Sequence, residues 1–299
     1  MLNGTRVTMI GGDARQLVVI RKLAQLGASI QIIGFDNWEC HIDGVRKVNL
    51  SPESVVSSDA ILLPAVGTND EGFIESSYST NTFHFSDDII KAIPAHAQII
   101  TGMAKPYLKK KCLAYGIRLV ELFERDDVAI LNSIPTAEGA LLMAIQNTDY
   151  TIHGSNCLVL GIGRTGLTMA HTLKGLGAHV SVGVRRPKHY ARACVMGFDP
   201  FYMTELGERA AHADIIFNTV PVMVLPASIL SKLPIHSLII DLASKPGGTD
   251  FNYAEAHGIK AFLAPGLPGI VAPKTAGGII GETICLLLTE KSDEGGDGE

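Results

Sequence analysis

The apolar positions of the chain form two long stretches that repeat one order of elements. Residues 6–36 read RVTMIGGDARQLVVIRKLAQLGASIQIIGFD, and residues 157–186 read CLVLGIGRTGLTMAHTLKGLGAHVSVGVRR. Each has an apolar run ending in glycine, apolar residues at helical spacing, a Leu-Gly-Ala stop and a second apolar run. A strand, a helix and a second strand in this order predict a βαβ unit, whose right-handed crossover makes the strands parallel.

Six further strand-like runs extend this pattern beyond the two units. After the first unit they lie at 60–64, 98–101 and 118–122, and after the second at 214–219, 238–242 and 260–264. Runs that are mostly apolar are typical of parallel strands covered by helices on both faces. The sequence therefore predicts an α/β fold with two doubly wound Rossmann-like domains and a cleft between them.

These elements divide the chain into five predicted segments. They are an N-terminal Rossmann-like substrate domain at 1–134, a linking helix at 135–150, a second Rossmann domain at 151–274 that is expected to bind a cofactor, a C-terminal helix at 275–291 packing across the joint, and a disordered acidic tail at 292–299. The linking helix is predicted from the apolar stripe within PTAEGALLMAIQNTDY. The disordered tail is predicted from its glycines and acidic residues.

Composition and charge exclude several classes of function. A length of 299 residues, 46% of them hydrophobic, suits about two globular domains. Much of the net charge of −5 comes from the acidic tail, and the body has no basic surface for nucleic acid. Five widely spaced cysteines without a CxxC pair predict reduced thiols and no metal site. Without a targeting segment or a long enough apolar run, we expect a cytoplasmic protein that does not enter a membrane.

The glycine turn of the second unit has the pattern of a dinucleotide-binding turn. It reads GxGxxG between a predicted strand and a predicted helix, which is the context that this motif requires. The first glycine permits the tight turn, the second lets the backbone approach a pyrophosphate, and the third lets the helix pack close to the strand. The predicted cofactor contacts in this turn are Gly161, Ile162, Gly163, Arg164, Thr165 and Gly166.

The end of the next predicted strand indicates which nicotinamide cofactor is bound. NAD sites usually carry an acidic residue there, whereas this chain has Arg185 and Arg186. Because a guanidinium makes bidentate bonds to phosphate, these residues favour the 2′-phosphate of NADP(H). Further contacts with the cofactor are expected from the loops after the following two strands, at Thr219, Val220, Pro221, Ala243, Ser244 and Lys245.

The first unit lacks this signature. Asp13 and Gln16 stand where the second unit has Gly163 and Gly166, and a carboxylate would repel a pyrophosphate. The turn with Asp13, Arg15 and Gln16 is instead expected to face a small substrate at the carboxyl ends of the strands.

Several long strings in both domains resemble one known family, that of the A subunit of dipicolinate synthase. The strings are IGGDARQ at 10–16, LFERDD at 122–127, NSIPTAEG at 132–139, DYTIHGS at 149–155, LGIGRTG at 160–166, DLASKPGGTDF at 241–251 and APGLPGIVAPKTAG at 264–277. The second domain is also similar to the NAD-binding domains of alanine dehydrogenase and S-adenosylhomocysteine hydrolase.

The resemblance implies an enzyme of the mother-cell cytoplasm in sporulating bacteria. It would act with a flavoprotein partner, the B subunit of dipicolinate synthase, and form dipicolinate from a dihydro- or hydroxytetrahydro-dipicolinate precursor. Such an oxidation needs a hydride acceptor, a base and cations for two carboxylates. The candidate cations are Arg15, Lys105, Arg125 and Lys274, and the candidate bases are Asp13, Glu124 and Asp126. Side chains that could orient the ring are Asn132, Ser133 and Thr136, although one hydroxyl is also expected to cap the linking helix.

Two other functions stay open at this point. One is an amino-acid or imino-acid dehydrogenase of the alanine dehydrogenase type. The other is a non-catalytic NADP-binding scaffold that positions the flavoprotein. The sequence leaves open the identity of the base, the direction of hydride flow and whether the chain forms a homo-oligomer.

Overall fold

The computed structural model describes residues 1–39 and 41–294. These residues form two compact units. The first comprises Met1–Val128 together with the chain from Pro273, and the second comprises Ala129–Ala272. The final helix extends through Glu294, three residues into the predicted acidic tail, and the rest of that tail lies outside the described residues.

A parallel six-stranded sheet forms the centre of the first unit. Its strands, in chain order, are β1 (Arg6–Ile10), β2 (Ser29–Ile33), β3 (Val45–Lys47), β4 (Ala60–Leu62), β7 (Gln98–Thr101) and β8 (Arg118–Glu121). They lie in the order β3-β2-β1-β4-β7-β8. Between β4 and β7, a separate antiparallel hairpin is formed by β5 (Phe73–Ile74) and β6 (Phe83–His84).

Helices cover this sheet, and its apolar strands are buried against them. The helices are α1 (Ala14–Gln25), α2 (Asp87–Lys91), α3 (Pro106–Tyr115) and α11 (Pro273–Glu294). The final helix packs on α1, and a Cβ at Gly277 would lie 2.6 Å from the backbone oxygen of Arg15. Only glycine permits this close approach of the two helices. Buried residues of the C-terminal helix belong to the hydrophobic core of the first unit.

The second unit repeats the architecture of the first. Its strands are β9 (Asn156–Leu160), β10 (His179–Val184), β11 (Asp199–Tyr202), β12 (Ile215–Asn218), β13 (Leu238–Asp241) and β14 (Lys260–Leu263). They are all parallel and lie in the corresponding order β11-β10-β9-β12-β13-β14. The prediction of two doubly wound parallel sheets is confirmed.

Seven helices within the described residues belong wholly or mainly to the second unit. They are α4 (Asp126–Asn147), α5 (Arg164–Gly175), α6 (Pro187–Val195), α7 (Leu206–Ala210), α8 (Ala227–Leu230), α9 (Phe251–Ala256) and α10 (Leu267–Val271). Within the core, Gly139 of α4 faces Leu267, whose Cβ would lie 2.8 Å from an added methyl group.

The structure begins α4 at Asp126, whereas the sequence prediction began the linking helix at Pro135. Two acidic residues, Asp126 and Asp127, occupy the first turn, where carboxylates interact favourably with the helix dipole. Pro135 lies inside the helix. Similarly, the final helix begins at Pro273, so Lys274 belongs to its first turn rather than to the preceding loop.

By length and composition alone, α4 could cross a membrane, and it is the only such helix in the described part of the chain. The core helix of a soluble protein passes the same test, and 44% of the most apolar window of α4 is buried inside the protein. Its length and hydropathy are therefore weak support for a membrane role.

Candidate active site

The glycine turn after β9 combines two packed glycines with an open one. A Cβ on Gly161, where φ is +98°, would lie 2.6 Å from Thr219 Oγ1. A Cβ on Gly166 would lie 2.2 Å from the backbone oxygen of Gly161. A Cβ on Gly163 would meet nothing within 4 Å. The outer glycines are thus required by the packing of the turn, whereas Gly163 exposes its backbone to a space that a ligand can enter.

The helix that follows this turn begins without a side-chain cap. Gly163 is the N-cap residue of α5, and it has no side chain to accept a bond from the first turn. The first N–H groups of a helix have no partner within the helix, and they carry the positive end of its dipole. This N-terminus is therefore suited to bind an anionic group such as a pyrophosphate.

In the equivalent turn of the first unit, side chains of the turn cap the N-terminus of the following helix. Asp13 caps α1 by accepting a 2.9 Å bond from the Arg15 N–H, and the Gln16 side chain accepts one of 2.9 Å from the Asp13 N–H. This reciprocal capping box occupies donors that α5 leaves open. The contrast favours the second unit as the dinucleotide site, as the sequence predicted.

The two loops beside the glycine turn are held by a buried carboxylate, Asp241. It accepts bonds from the backbone N–H of Ala243 at 3.1 Å and of Gly248 at 2.8 Å, and from Thr249 Oγ1 at 2.8 Å. A fourth bond of 3.0 Å comes from Asn218 Nδ2, and Asn218 Oδ1 in turn accepts the N–H of Val220. Asp241 and Asn218 therefore set the shape of the loops that contain the predicted contacts at 219–221 and 243–245.

The sequence prediction did not include Asn218 or Asp241 among the site residues. Both end their strands with fully buried polar side chains, and a strand-end Asp followed by Gly-Gly was the signal available in the sequence. The predicted residues in these loops differ in exposure: Thr219 is half-buried and bonds Leu160 O at 2.7 Å, whereas Ser244 and Lys245 are exposed.

Two exposed cations follow β10, at the same carboxyl end of the parallel strands as the glycine turn. Arg185 directly follows the strand, and Arg186 is the N-cap residue of α6. Within the described residues neither guanidinium has an ion-pair partner, and both are accessible to a ligand. The parallel pairing of β10 with β9 places the two strand ends side by side, as an adenosine-binding site requires.

A cavity of about 670 Å³ opens beside the corresponding turn of the first unit. Its wall includes the turn from Gly12 to Arg15, the segment 64–66 after β4, and residues of the hairpin region 73–82. The hairpin region is fixed to the turn because Gly12 donates to Glu75 O at 2.9 Å and Ser77 donates to Gly12 O at 2.8 Å. The cavity thus lies at the carboxyl ends of β1 and β4, where ligands of doubly wound sheets bind.

Asp13 and Arg15 form an ion pair at this cavity. Arg15 Nη2 lies 2.6 Å from Asp13 Oδ2, and Arg15 Nε lies 3.0 Å from Oδ1. Burial raises the pKa of Asp13, but the hydrogen bonds and charge of Arg15 outweigh it and hold the pKa below its ordinary value. Asp13 therefore remains ionised and paired, so it is a poor proton acceptor and a good support for the guanidinium.

The other charged candidates of the first unit do not line this cavity. Glu124 and Arg125 follow β8 at the far edge of the sheet, where Arg125 pairs with Asp127 at 2.8 Å. Lys105 lies 3.6 Å from Asp70, and Lys274 is exposed in the first turn of α11. Of the predicted charged residues, the structure therefore brings only Asp13 and Arg15 to the cavity wall.

The hydroxyl candidates lie inside α4, so neither is an N-cap residue. Ser133 Oγ donates to Ile130 O at 2.6 Å and lies 2.6 Å from Thr168 Oγ1 of α5. Thr136 Oγ1 donates to the backbone oxygen of Asn132 at 2.8 Å. The structure thus corrects the expected cap, because the helix begins at Asp126 and these hydroxyls bond to carbonyl groups within it. Among the described residues, no group of three or more His, Cys, Asp or Glu could hold a metal ion.

Comparison with known proteins gives a consistent result for both units. Residues 6–123 match the family of the N-terminal domain of the dipicolinate synthase A subunit. Residues 151–238 match the NADPH-binding domain of acetohydroxy acid isomeroreductase. A curated relative, the A subunit of dipicolinate synthase from Bacillus subtilis (strain 168), is 48% identical over 99% of this chain and 100% of its own length.

Solved structures agree with the sequence relatives. The A chain of dipicolinate synthase from Bacillus subtilis aligns with a TM-score of 0.94 at 48% identity, covering 98% of this chain and 99% of that one. The corresponding protein from Bacillus halodurans aligns at 0.89 with 46% identity, over 96% and 99% of the two chains. A transhydrogenase from Sinorhizobium meliloti, 18% identical with a TM-score of 0.67 over 95% and 94%, shares the fold. Both units therefore have a Rossmann-like fold.

Proposed function

Because this chain belongs to the family of the dipicolinate synthase A subunit, we propose that it catalyses the NADP-dependent oxidation of dihydrodipicolinate, or of its hydroxytetrahydro precursor, to dipicolinate. It acts with the flavoprotein, the B subunit of the same enzyme, in the mother-cell cytoplasm of a sporulating bacterium. The observation that carries the proposal is the contrast between the two helix N-termini: α5 begins at an uncapped, open glycine, whereas α1 is capped by its own side chains.

The second unit has the residues that would hold the cofactor. The amides of the turn from Gly161 to Gly166 would bind the pyrophosphate, and Arg185 with Arg186 would bind the 2′-phosphate. The predicted contact residues at 219–221 and 243–245 would complete the site. They lie on loops whose shape is fixed by Asp241. When bound, oxidised NADP would supply the hydride acceptor. The absence of an acidic residue at the end of β10 supports NADP rather than NAD.

The cavity of the first unit is the proposed substrate site. Arg15 is the cation on its wall, and Asp13 holds two of its three guanidinium nitrogens. Nη1, the third nitrogen, has no bond within the described residues, so it would donate to a carboxylate of the substrate. Asp13 thereby acts as a positioning residue, which fixes the plane of the guanidinium before the substrate arrives.

The rest of the cavity wall is suited to a planar, polar ring. Phe73 and Ile74 give an apolar surface, and Asn69, Ser77 and Thr82 add polar side chains. Asn69 Oδ1 accepts the N–H groups of Glu71 and Phe73, which fixes the side chain with its amide nitrogen available. A second carboxylate would therefore find neutral donors among the wall residues.

The proposal is tested by disabling the cofactor turn in the complete system. Gly163→Asp places a carboxylate where the diphosphate would lie, and the variant chain is mixed with the flavoprotein, NADP and dihydrodipicolinate. We expect dipicolinate formation to fall to the background level, with the native circular dichroism spectrum retained. Full activity of the mixture would overturn the proposal in favour of a scaffold that only positions the flavoprotein.

A further inference from the structure

One carboxylate on the wall of the first-unit cavity has no role in the proposed binding of cofactor and substrate. Glu75 lines the cavity beside the turn after β1, in the segment that crosses over that turn. Its backbone oxygen accepts the N–H of Gly12, which fixes the position of the residue in the wall. Its carboxylate is exposed and makes no hydrogen bond or ion pair with any part of the chain that the structure describes.

The charges of the cavity make this carboxylate unusual. The ionisable side chains on its wall are Asp13, Arg15 and Glu75. Asp13 and Arg15 neutralise each other, so Glu75 leaves the wall with one uncompensated negative charge. A substrate with two carboxylates is repelled by such a charge, which lowers its affinity. A cost of this kind is typical of groups that take part in chemistry.

We propose that Glu75 is the catalytic base of this enzyme, an inference that rests on the proposed oxidation of a dihydropyridine dicarboxylate in this cavity. When the ring becomes aromatic, one ring C–H bond breaks and its electron pair leaves as hydride to oxidised NADP. A second ring bond to hydrogen breaks, and the proton is bound by the Glu75 carboxylate. The electron pair of a C–H bond joins the π system of the ring, whereas the pair of an N–H bond stays on the nitrogen as its in-plane lone pair. The products are the pyridine dicarboxylate, NADPH and a protonated Glu75, which then releases its proton to water.

The other acidic residues that were candidates for the base are less suitable than Glu75. Asp13 is held by Arg15, which stabilises its ionised form and opposes protonation. Glu124 and Asp126 do not line the cavity. Among the described acidic residues, Glu75 thus combines a place on the cavity wall with a carboxylate that is available to accept a proton.

The test compares Glu75→Gln with the wild-type chain in two measurements. The first is steady-state turnover with dihydrodipicolinate, NADP and the flavoprotein, and the second is calorimetric titration of the chain with pyridine-2,6-dicarboxylate. Loss of a general base lowers kcat by about 100-fold or more. Loss of the negative charge strengthens binding of the dicarboxylate, by roughly threefold to tenfold. A residue with a merely structural role would not lower kcat and raise affinity together.

Two controls make the result decisive. Glu71→Gln removes an exposed carboxylate that lies before β5 and outside the cavity wall, and we expect it to leave kcat and affinity unchanged. Glu75→Asp keeps the base and should restore part of the lost kcat. An unchanged kcat in Glu75→Gln, or weaker binding of the dicarboxylate, would overturn the role of Glu75 alone. Failure of the wild-type chain to bind the dicarboxylate would overturn the proposed substrate site itself.

Discussion

Arg15 donates to both carboxylate oxygens of Asp13 across the turn that follows β1. The pair lies within a single capping box, so the guanidinium is fixed by the start of the helix that carries it. A fixed guanidinium binds a carboxylate at a lower entropic cost than a free one. This arrangement gives the first-unit cavity a preformed anion site, and it turns a residue first considered as a base into a support.

We expect Arg15→Ala to weaken the binding of pyridine-2,6-dicarboxylate by about 10- to 100-fold, because a charge-assisted hydrogen bond is worth about 1.5–3 kcal/mol. Asp13→Asn should weaken it by a smaller factor, since it removes the support and keeps the cation. Isothermal titration calorimetry measures both. Arg21→Ala changes an exposed arginine of the same helix outside the cavity wall, and it should bind normally. Equal affinity in the Arg15 variant and the wild type would contradict the clamp, and Arg125→Ala would then be tested in its place.

Alanine substitutions at Gly163 and Gly166 should affect different properties of the protein, cofactor affinity in the first case and stability in the second. Gly163 has a φ of −76° and open space around its Cβ position, so Gly163→Ala should fold normally and lose affinity for NADPH. In Gly166→Ala the new methyl group would lie 2.2 Å from a backbone oxygen, which should destabilise the fold by about 2 kcal/mol. Thermal unfolding and fluorescence titration with NADPH distinguish the two. Equal losses of stability would show that the middle glycine is also needed for packing.

The choice between NADP and NAD is expected to depend on Arg185. Arg185→Ala should lower the affinity for NADPH by about 10- to 100-fold and leave the affinity for NADH nearly unchanged, because only NADPH has the 2′-phosphate. Arg192→Ala removes an exposed arginine from the last turn of α6 and serves as the control. If Arg185→Ala weakened both cofactors equally, the residue would contribute to general attraction of anions rather than to selectivity.

Removal of the Asp241 carboxylate should destabilise the second unit strongly. Asp241→Ala would leave two backbone N–H groups, a hydroxyl and an amide without their buried acceptor, at a cost of about 3 kcal/mol or more. Asp241→Asn keeps one acceptor oxygen and should lie between this variant and the wild type. Urea unfolding followed by circular dichroism measures the order of the three. Wild-type stability in Asp241→Ala would show that water replaces the carboxylate.

The cysteines should differ in reactivity toward iodoacetamide according to burial. Burial raises the pKa of Cys112 to about 11 and that of Cys157 to about 12, so both remain neutral thiols at physiological pH. Cys194 is exposed. Peptide mass spectrometry after brief labelling of the native protein should therefore find Cys194 modified and the two buried thiols unmodified. Labelling of Cys157 at the rate of Cys194 would indicate that the second sheet opens readily.

The predictions from sequence succeeded where local pattern and long-range structure agree. The strand at Gln98–Thr101 was predicted at its observed limits, because its apolar run ends at a glycine. The edge strands Val45–Lys47 and Asp199–Tyr202 were not predicted. The first is short and polar, and the second contains a proline, which is tolerated only where a sheet has an unpaired edge.

The cavity wall was beyond the reach of sequence patterns for a different reason. Glu75 lies in a stretch rich in serine and threonine without clear periodicity, and its position depends on bonds to residues far away in the sequence. Gly12 bonds to its backbone oxygen, and the next residue, Ser76, donates to Gly34 O through a short hydrogen bond. The start of α4, in contrast, had a local signal in the sequence, because Asp126 and Asp127 are typical of a first helical turn. The prediction began the helix at Pro135 instead, since proline is common at the first position of a helix.

Helices α1 and α11 pack on each other in the first unit, although the whole second unit lies between them in the sequence. During synthesis on the ribosome, every strand of the second unit emerges before Pro273, so this unit can complete its core while the last helix is still being made. The first unit, although it is translated earlier, keeps the side of α1 that α11 covers exposed until the final segment arrives. Its nascent form therefore has to avoid aggregation for almost the whole time of translation, and a stop codon that removed the last helix would affect the earliest part of the protein most.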